Sequence, residues 1–151
     1  MKKLISSADL IEALNNKDIN INENPSDVID INIFSRPKVP NTLTETESYV
    51  CFSVNCRGAN SRNVYFKDIE IVFMCISHEN EARTQWNANR HDIIGGIIIE
   101  LFNWSNDLGF ELELLFDTES VIQNQYNTRS IGFKCNHLNS VSNGVKSNGK
   151  R

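Results

Sequence analysis

The sequence predicts an α+β fold: a central antiparallel β-sheet packed by one main amphipathic helix, about 89–103, and a short N-terminal helix. Three observations lead there. Several segments alternate apolar and polar residues at the period of a half-buried strand. One later run places Ile94, Ile97, Ile98 and Leu101 at the i, i+3, i+4, i+7 spacing of a helix. A chain of 151 residues with 40% hydrophobic content is also the size of one domain with one core. The expected organisation is a domain over 1–138 with an extended loop at 36–47, followed by a flexible polar and basic tail, 139–151.

Taken in order, "SSADLIEALNN" sets Leu10, Ile11 and Leu14 at helical spacing, after Ser6 or Ser7 as N-cap and before Asn15 and Asn16 as a stop. Ile29, Ile31 and Ile33 then alternate with Asp30 and Asn32, which reads as a strand ended by Pro37 and Pro40. "RPKVPNTLTETE" has two prolines, threonines and acids without apolar periodicity, so it reads as an extended excursion, a binding loop or an arm. "SYVCFSVNC" is the next strand, with Tyr49, Cys51 and Ser53 facing away from Val50, Phe52 and Val54. "RGANSRN" turns it into "VYFKDIEIVFMCIS". The late half of this long strand is apolar on both faces and should be covered on both, while "FKDIEI" keeps one wet face. "HENEARTQWNAN" is a polar loop.

The helix follows in "NRHDIIGGIIIELFNW", with Asn87 or Asn89 as N-cap and Asp92 in the first turn, where a negative charge suits the helix dipole. Gly95 and Gly96 each cost a helix about 1 kcal/mol relative to alanine, so close packing against a sheet or another subunit should compensate. They lie a turn inside the helix and are followed by isoleucines, which is not the arrangement of a phosphate loop. His91 and Asp92 are neighbours in a helix and point about 100° apart, which hinders a hydrogen bond between them. A general base would also need an orienting partner and a nucleophile. Arg90, His91 and Asp92 therefore read first as the polar start of the helix, making ion pairs or a subunit contact.

Beyond a loop that ends at Gly109, "FELELLFD" alternates Phe110, Leu112 and Leu114 with Glu111, Glu113 and Leu115. "TESVIQNQ" reads as a polar connection, and "RSIGFKC" as a last strand with Ile131, Phe133 and Cys135 on one side. The tail "NSVSNGVKSNGKR" has little to bury and should be disordered without a partner. Its Lys146, Lys150 and Arg151 offer contacts to DNA or an acidic surface, with a solvated terminus as the plain alternative.

Nineteen acids against fifteen bases, net −4, give no broad electrostatic reason to grip nucleic acid. The N-terminus lacks a signal-peptide core, and no run approaches the roughly 18 apolar residues of a membrane-spanning helix. Cys51, Cys56, Cys75 and Cys135 form no CxxC pair, and His78, His91 and His137 are scattered, so neither a metal nor another cofactor is expected. Cys51 and Cys75 lie in apolar runs, where a thiol acts as a small buried hydrophobe, and a reducing compartment fits.

The stretch from "IEIVFMCISHENEARTQWNANRHDIIGG" to "YNTRSIGF", with its strand ending at His78, its Arg90 and Asp92 helix, and its Tyr126, Arg129 and Phe133, resembles small neck proteins of tailed bacteriophages. These are of the tail terminator or head-to-tail joining type, and the resemblance covers roughly 49–133. It implies a non-enzymatic virion protein that forms a ring, often six-fold, between the portal-proximal connector and the tail tube, with DNA passing through the lumen. It implies assembly in the host cytoplasm and residence in the virion neck. In such a ring Arg36, Lys38, Asn41, Thr44, Glu45, Arg90, Asp92 and Arg129 are the expected subunit or partner contacts. Glu111 and Glu113 are candidate lumen-facing acids, because like charge disfavours adhesion to DNA.

Two other readings stay open. A small α+β enzyme or ligand-binding domain would use His78, His91 and Asp92, with Arg90 or Arg129 as an anion contact, and would need a pocket where they converge. A monomeric interaction adaptor would present the 36–47 loop as an extended peptide.

Overall fold

The structure is a computed structural model. It describes residues 1–14, 24–37, 48–60, 63, 65–84, 87–106, 110–122 and 125–138. Lys38, Asn41, Thr44, Glu45 and the 139–151 tail lie outside the described residues.

The architecture is α+β. Five strands, β1 (Ile33–Phe34), β2 (Tyr49–Ala59), β3 (Phe66–His78), β4 (Glu113–Ile122) and β5 (Tyr126–Leu138), form one sheet in the order β1-β2-β3-β5-β4. Helices α1 (Lys2–Ile5), α2 (Ala8–Leu14) and α3 (Arg90–Phe102) accompany it. No helix among the described residues is long and apolar enough to cross a membrane.

β3 is the centre, paired antiparallel with β2 on one side and β5 on the other. Its last four residues, Cys75, Ile76, Ser77 and His78, are all buried, as expected for a strand covered on both faces. Because strand side chains alternate, Val50, Phe73, Cys75, Ile131, Phe133 and Cys135 join Ile94, Ile98 and Phe102 of α3 in the main core. Tyr49, Cys51, Ile76 and Tyr126 pack with Phe34 in a second cluster. Glu70 is buried on β3 yet keeps its charge compensated, because Arg57 donates to both its oxygens at 2.7–2.9 Å. Arg57 sits at the β2 bulge, where Gly58 takes φ +101°, a value other residues rarely adopt.

α3 begins after Asn89 and buries His91, Ile94, Gly95, Ile98 and Phe102. This stripe is rotated from the one expected: Ile97 and Leu101 are only half-buried, because α3 packs on the sheet through one flank and meets α2 through another. The two glycines divide. A Cβ on Gly95 would lie 2.6 Å from Cδ of Arg129 and 3.2 Å from Cδ1 of Ile131, so the helix approaches β5 only because none is there. Gly96 has nothing within 4 Å of that position. α2 starts where Ser7 caps it, its Oγ accepting from the Leu10 amide at 3.3 Å. Lys3 of α1 donates to Ser105 Oγ at 2.8 Å and lies over the Phe102 ring, tying the N-terminus to the far end of α3.

Two elements differ from expectation. The alternation of Ile29, Ile31 and Ile33 does not make a strand. A short 3-10 turn, Pro25–Val28, is followed by Asp30 at φ 62°, and that left-handed residue breaks the extended run and exposes Ile31. Only Ile33 and Phe34 remain as a strand, and they pair parallel to β2, so the sheet is mixed rather than wholly antiparallel. A parallel neighbour cannot follow through a hairpin turn, and residues 35–48 link the two strands.

The second difference is β4. "TESVI" is not a connection but the outer half of a strand running on to Ile122, paired along its length with β5. As an edge strand it exposes polar residues on both faces, which erases the alternation that identifies strands in a sequence. The expected alternation before it holds: Leu112 is fully buried, Phe110 and Leu114 are half-buried, and Glu111, Glu113 and Leu115 are exposed.

Candidate functional site

A cluster of polar side chains lies where the first turn of α3 crosses β5 and β4. Arg129 of β5 rises from the helix-facing side of the sheet beneath the close approach that Gly95 permits. Its Nε and Nη2 donate to the two carboxylate oxygens of Asp117 on β4, at 2.8 and 2.6 Å. Its Nη1 donates to the backbone carbonyl of Asp92 at 3.1 Å and lies 3.5 Å from Asp92 Oδ1. One guanidinium thus joins helix, penultimate strand and edge strand, and its planar fork suits the two-point contact with Asp117.

Around it stand His91, Asp92 and Glu119. His91 is buried, its Nδ1 3.0 Å from Ser77 Oγ on β3, and its Nε2 is 3.7 Å from Asp92 Oδ1. That separation is an ion-pair distance but not a hydrogen bond, in keeping with the angle between successive helical side chains. Asp92 Oδ2 accepts from Asn89 Nδ2 at 3.0 Å. Glu119 is opposite Arg129 in the β4–β5 register, and one ligating atom from each of His91, Asp92 and Glu119 lies within 4.8 Å of the others. Sequence reasoning missed Asp117 and Glu119, because both lie on or beside the segment that reads as a connection.

The electrostatics follow from the contacts. The Arg129 hydrogen bond holds the Asp117 carboxyl below its ordinary range, against the opposing effect of partial burial. The same bond raises the Arg129 guanidinium. Beneath them, burial pushes the Cys75 thiol far up, so it is an inert hydrophobe rather than a nucleophile. A depressed carboxylate stabilises the fold above its unfolded pKa, near 3.9, and loses that contribution as pH falls through the lower folded value. Asp117→Asn should therefore flatten the fall in stability below about pH 4 that the parent shows, measured by urea unfolding across an acid series.

The other candidate residues are dispersed. Arg90 donates through Nη1 to the carbonyl of Ala13 at 2.9 Å, a cation at the end of α2 where free carbonyls gather, and so locks α2 to α3. Arg36 is exposed. Glu113 pairs with Lys134 at 3.1 Å on the surface, and both it and Glu111 line a cleft of about 260 Å³ with Trp104, Lys134, Cys135 and Asn136. His78 and His91 are separated by the sheet. Adjacent strand residues point to opposite faces, so His78 packs edge-on to Tyr126 and accepts from the Asn80 amide, while Ser77 holds His91 on the helix side. A larger groove, about 390 Å³ between α2 and α3, is lined by Asp9, Glu12, Ala13, Ala88, Ile93 and Ile97. Neither hollow is lined by His78, His91 or Asp92. The structure therefore brings together Asp92, Arg129 and His91, and leaves His78 apart.

No curated protein and no solved structure matches the chain. A family model described as YomW, a name from a Bacillus phage region, matches residues 7–135. That match runs from the start of α2 through most of β5 and includes every residue of the α3–β5–β4 junction, so the chain belongs to the phage-associated YomW family.

Proposed function

We propose that this chain is a non-enzymatic virion structural protein that forms a ring in the head–tail connector of a tailed phage. Its role there is that of a tail terminator or a head-to-tail joining protein. The observation that carries the reading is the edge of the sheet. β4 is an edge strand of ten residues, paired only with β5 among the described residues, and it leaves Leu115 and Val121 exposed. At the opposite edge stands β1, two residues long. An unpaired edge of ten residues offers its backbone donors and acceptors to a neighbouring chain. A neighbour that meets it with a different surface makes a head-to-tail contact, which closes into a ring when the rotation permits. Membership in a phage-associated family supports the same setting.

In this reading Arg90, Asp92 and Arg129 serve the ring indirectly, by fixing α3 and β4 in place. Arg36 and the following Lys38, Asn41, Thr44 and Glu45 reach a neighbour or an adjoining ring. Glu111 and Glu113 face the lumen and let DNA pass without adhesion. The partners are a portal-proximal connector and the tail tube, met in the host cytoplasm and retained in the virion neck. Light scattering of the purified chain across a concentration series, alone and with the connector and tail-tube proteins encoded beside it, tests this. A ring of discrete mass, free or on a partner, is the expected result. A monomer indifferent to all of them overturns the proposal.

A further inference from the structure

Independently of any ring, we propose that His91, Asp92 and Glu119 bind a divalent transition-metal ion of the Zn²⁺ class, clipping the start of α3 to the edge strand β4. The ligand set is one imidazole and two carboxylates, with ligating atoms within 4.8 Å of one another. Ligands on tetrahedral zinc stand about 3.3 Å apart, since each lies about 2.0–2.2 Å from the ion. Closing around an ion therefore requires the exposed Glu119 side chain to rotate toward His91 and Asp92.

The imidazole is the informative member. His91 is only 4% exposed. Its Nδ1 is engaged by Ser77 Oγ at 3.0 Å, and donation of the Nδ1 proton to that hydroxyl leaves the lone pair on Nε2. Nε2 has no hydrogen-bond partner among the described residues and is aimed at Asp92 Oδ1, 3.7 Å away. A buried imidazole with one ring nitrogen held by a hydroxyl and the other left open toward a carboxylate is the arrangement that metal-ligating histidines use. Asp92 is oriented in the same way, because Asn89 holds its Oδ2 and leaves Oδ1 toward the imidazole.

Arg129 is the obvious objection, since its Nη1 is 3.5 Å from Asp92 Oδ1. Its other two nitrogens are committed to Asp117, at 2.8 and 2.6 Å. With His91 neutral, three carboxylates (Asp92, Asp117 and Glu119) face one guanidinium, leaving two negative charges for a divalent cation. The nitrogen ligand favours zinc-like ions over Mg²⁺ and Ca²⁺, which prefer all-oxygen shells.

The test uses the full chain, stripped with a chelator and melted with added Zn²⁺, Mg²⁺ or Ca²⁺. At a hundredfold excess over its dissociation constant, Zn²⁺ should raise Tm by roughly 5–10 °C. Titration calorimetry should give one ion per chain. Glu119→Gln removes a ligand at an exposed position and should abolish the rise while leaving the metal-free Tm unchanged. Cys56→Ser, which removes the exposed thiol, should keep it. No Zn²⁺ response, an undiminished response in Glu119→Gln, or an equal response to Mg²⁺ would each overturn the assignment.

Discussion

Replacing Phe133 by alanine is expected to cost about 3–5 kcal/mol, the range for deleting a buried aromatic ring. Phe133 has no exposed surface and stands where three elements meet. Its ring lies edge-on to Phe73 of β3 at 5.9 Å and packs on Phe102 of α3 at 6.2 Å, while its backbone pairs opposite Ile71 and Leu114. The cavity cannot close by local collapse, because the sheet and the helix are each fixed by further contacts on both sides of the ring. For a chain of this size the loss corresponds to a fall in Tm of roughly 6–20 °C. In urea it should appear as a lower midpoint at unchanged slope. A cost below about 1 kcal/mol would mean that α3 does not pack on β5 as described.

Gly95→Val should be the next most damaging change, at about 1–3 kcal/mol, the usual cost of overpacking. The first added carbon would lie 2.6 Å from Arg129 Cδ and 3.0 Å from its Nε. Arg129 cannot swing aside freely, because Asp117 and the Asp92 carbonyl hold its guanidinium. The helix must lift or the fork must break, and either loosens β4. Gly96→Ala provides the contrast: nothing lies within 4 Å of its added carbon, so it should gain up to about 1 kcal/mol from helix propensity alone. Thermal unfolding of the two variants side by side should show shifts of opposite sign.

This contrast marks how far the sequence was legible. The glycine pair called for a packing reason, and close approach to the sheet supplies it for Gly95 alone. The hairpin β2–β3, the helix near 90–102 and the burial of Ile131, Phe133 and Cys135 were readable because each buries one face, and burial writes a period into the sequence. β1 was misread because three isoleucines imitate a strand whatever the backbone does, and only the left-handed Asp30 distinguishes the turn. The outer half of β4 was unreadable because an edge strand with polar residues on both faces has no period to show. Of the junction, His91 and Asp92 were visible as neighbours, and Asp92 and Arg129 as parts of a resemblance. That they meet depends on strand register, which single-sequence patterns do not carry. Glu119 followed β4 out of sight.

The central position of β3 also sets the order in which the chain can fold. Its partner on one side, β2, is available as soon as the hairpin is made, but Ile71 waits for Phe133 and Phe66 for Leu138. Contacts so distant along the chain form slowly, since the loop must close before pairing rewards it. During synthesis β3 therefore spends the interval until β5 emerges with the backbone N–H and C=O groups of one edge unpaired. That interval is when chains are most apt to pair with each other and aggregate.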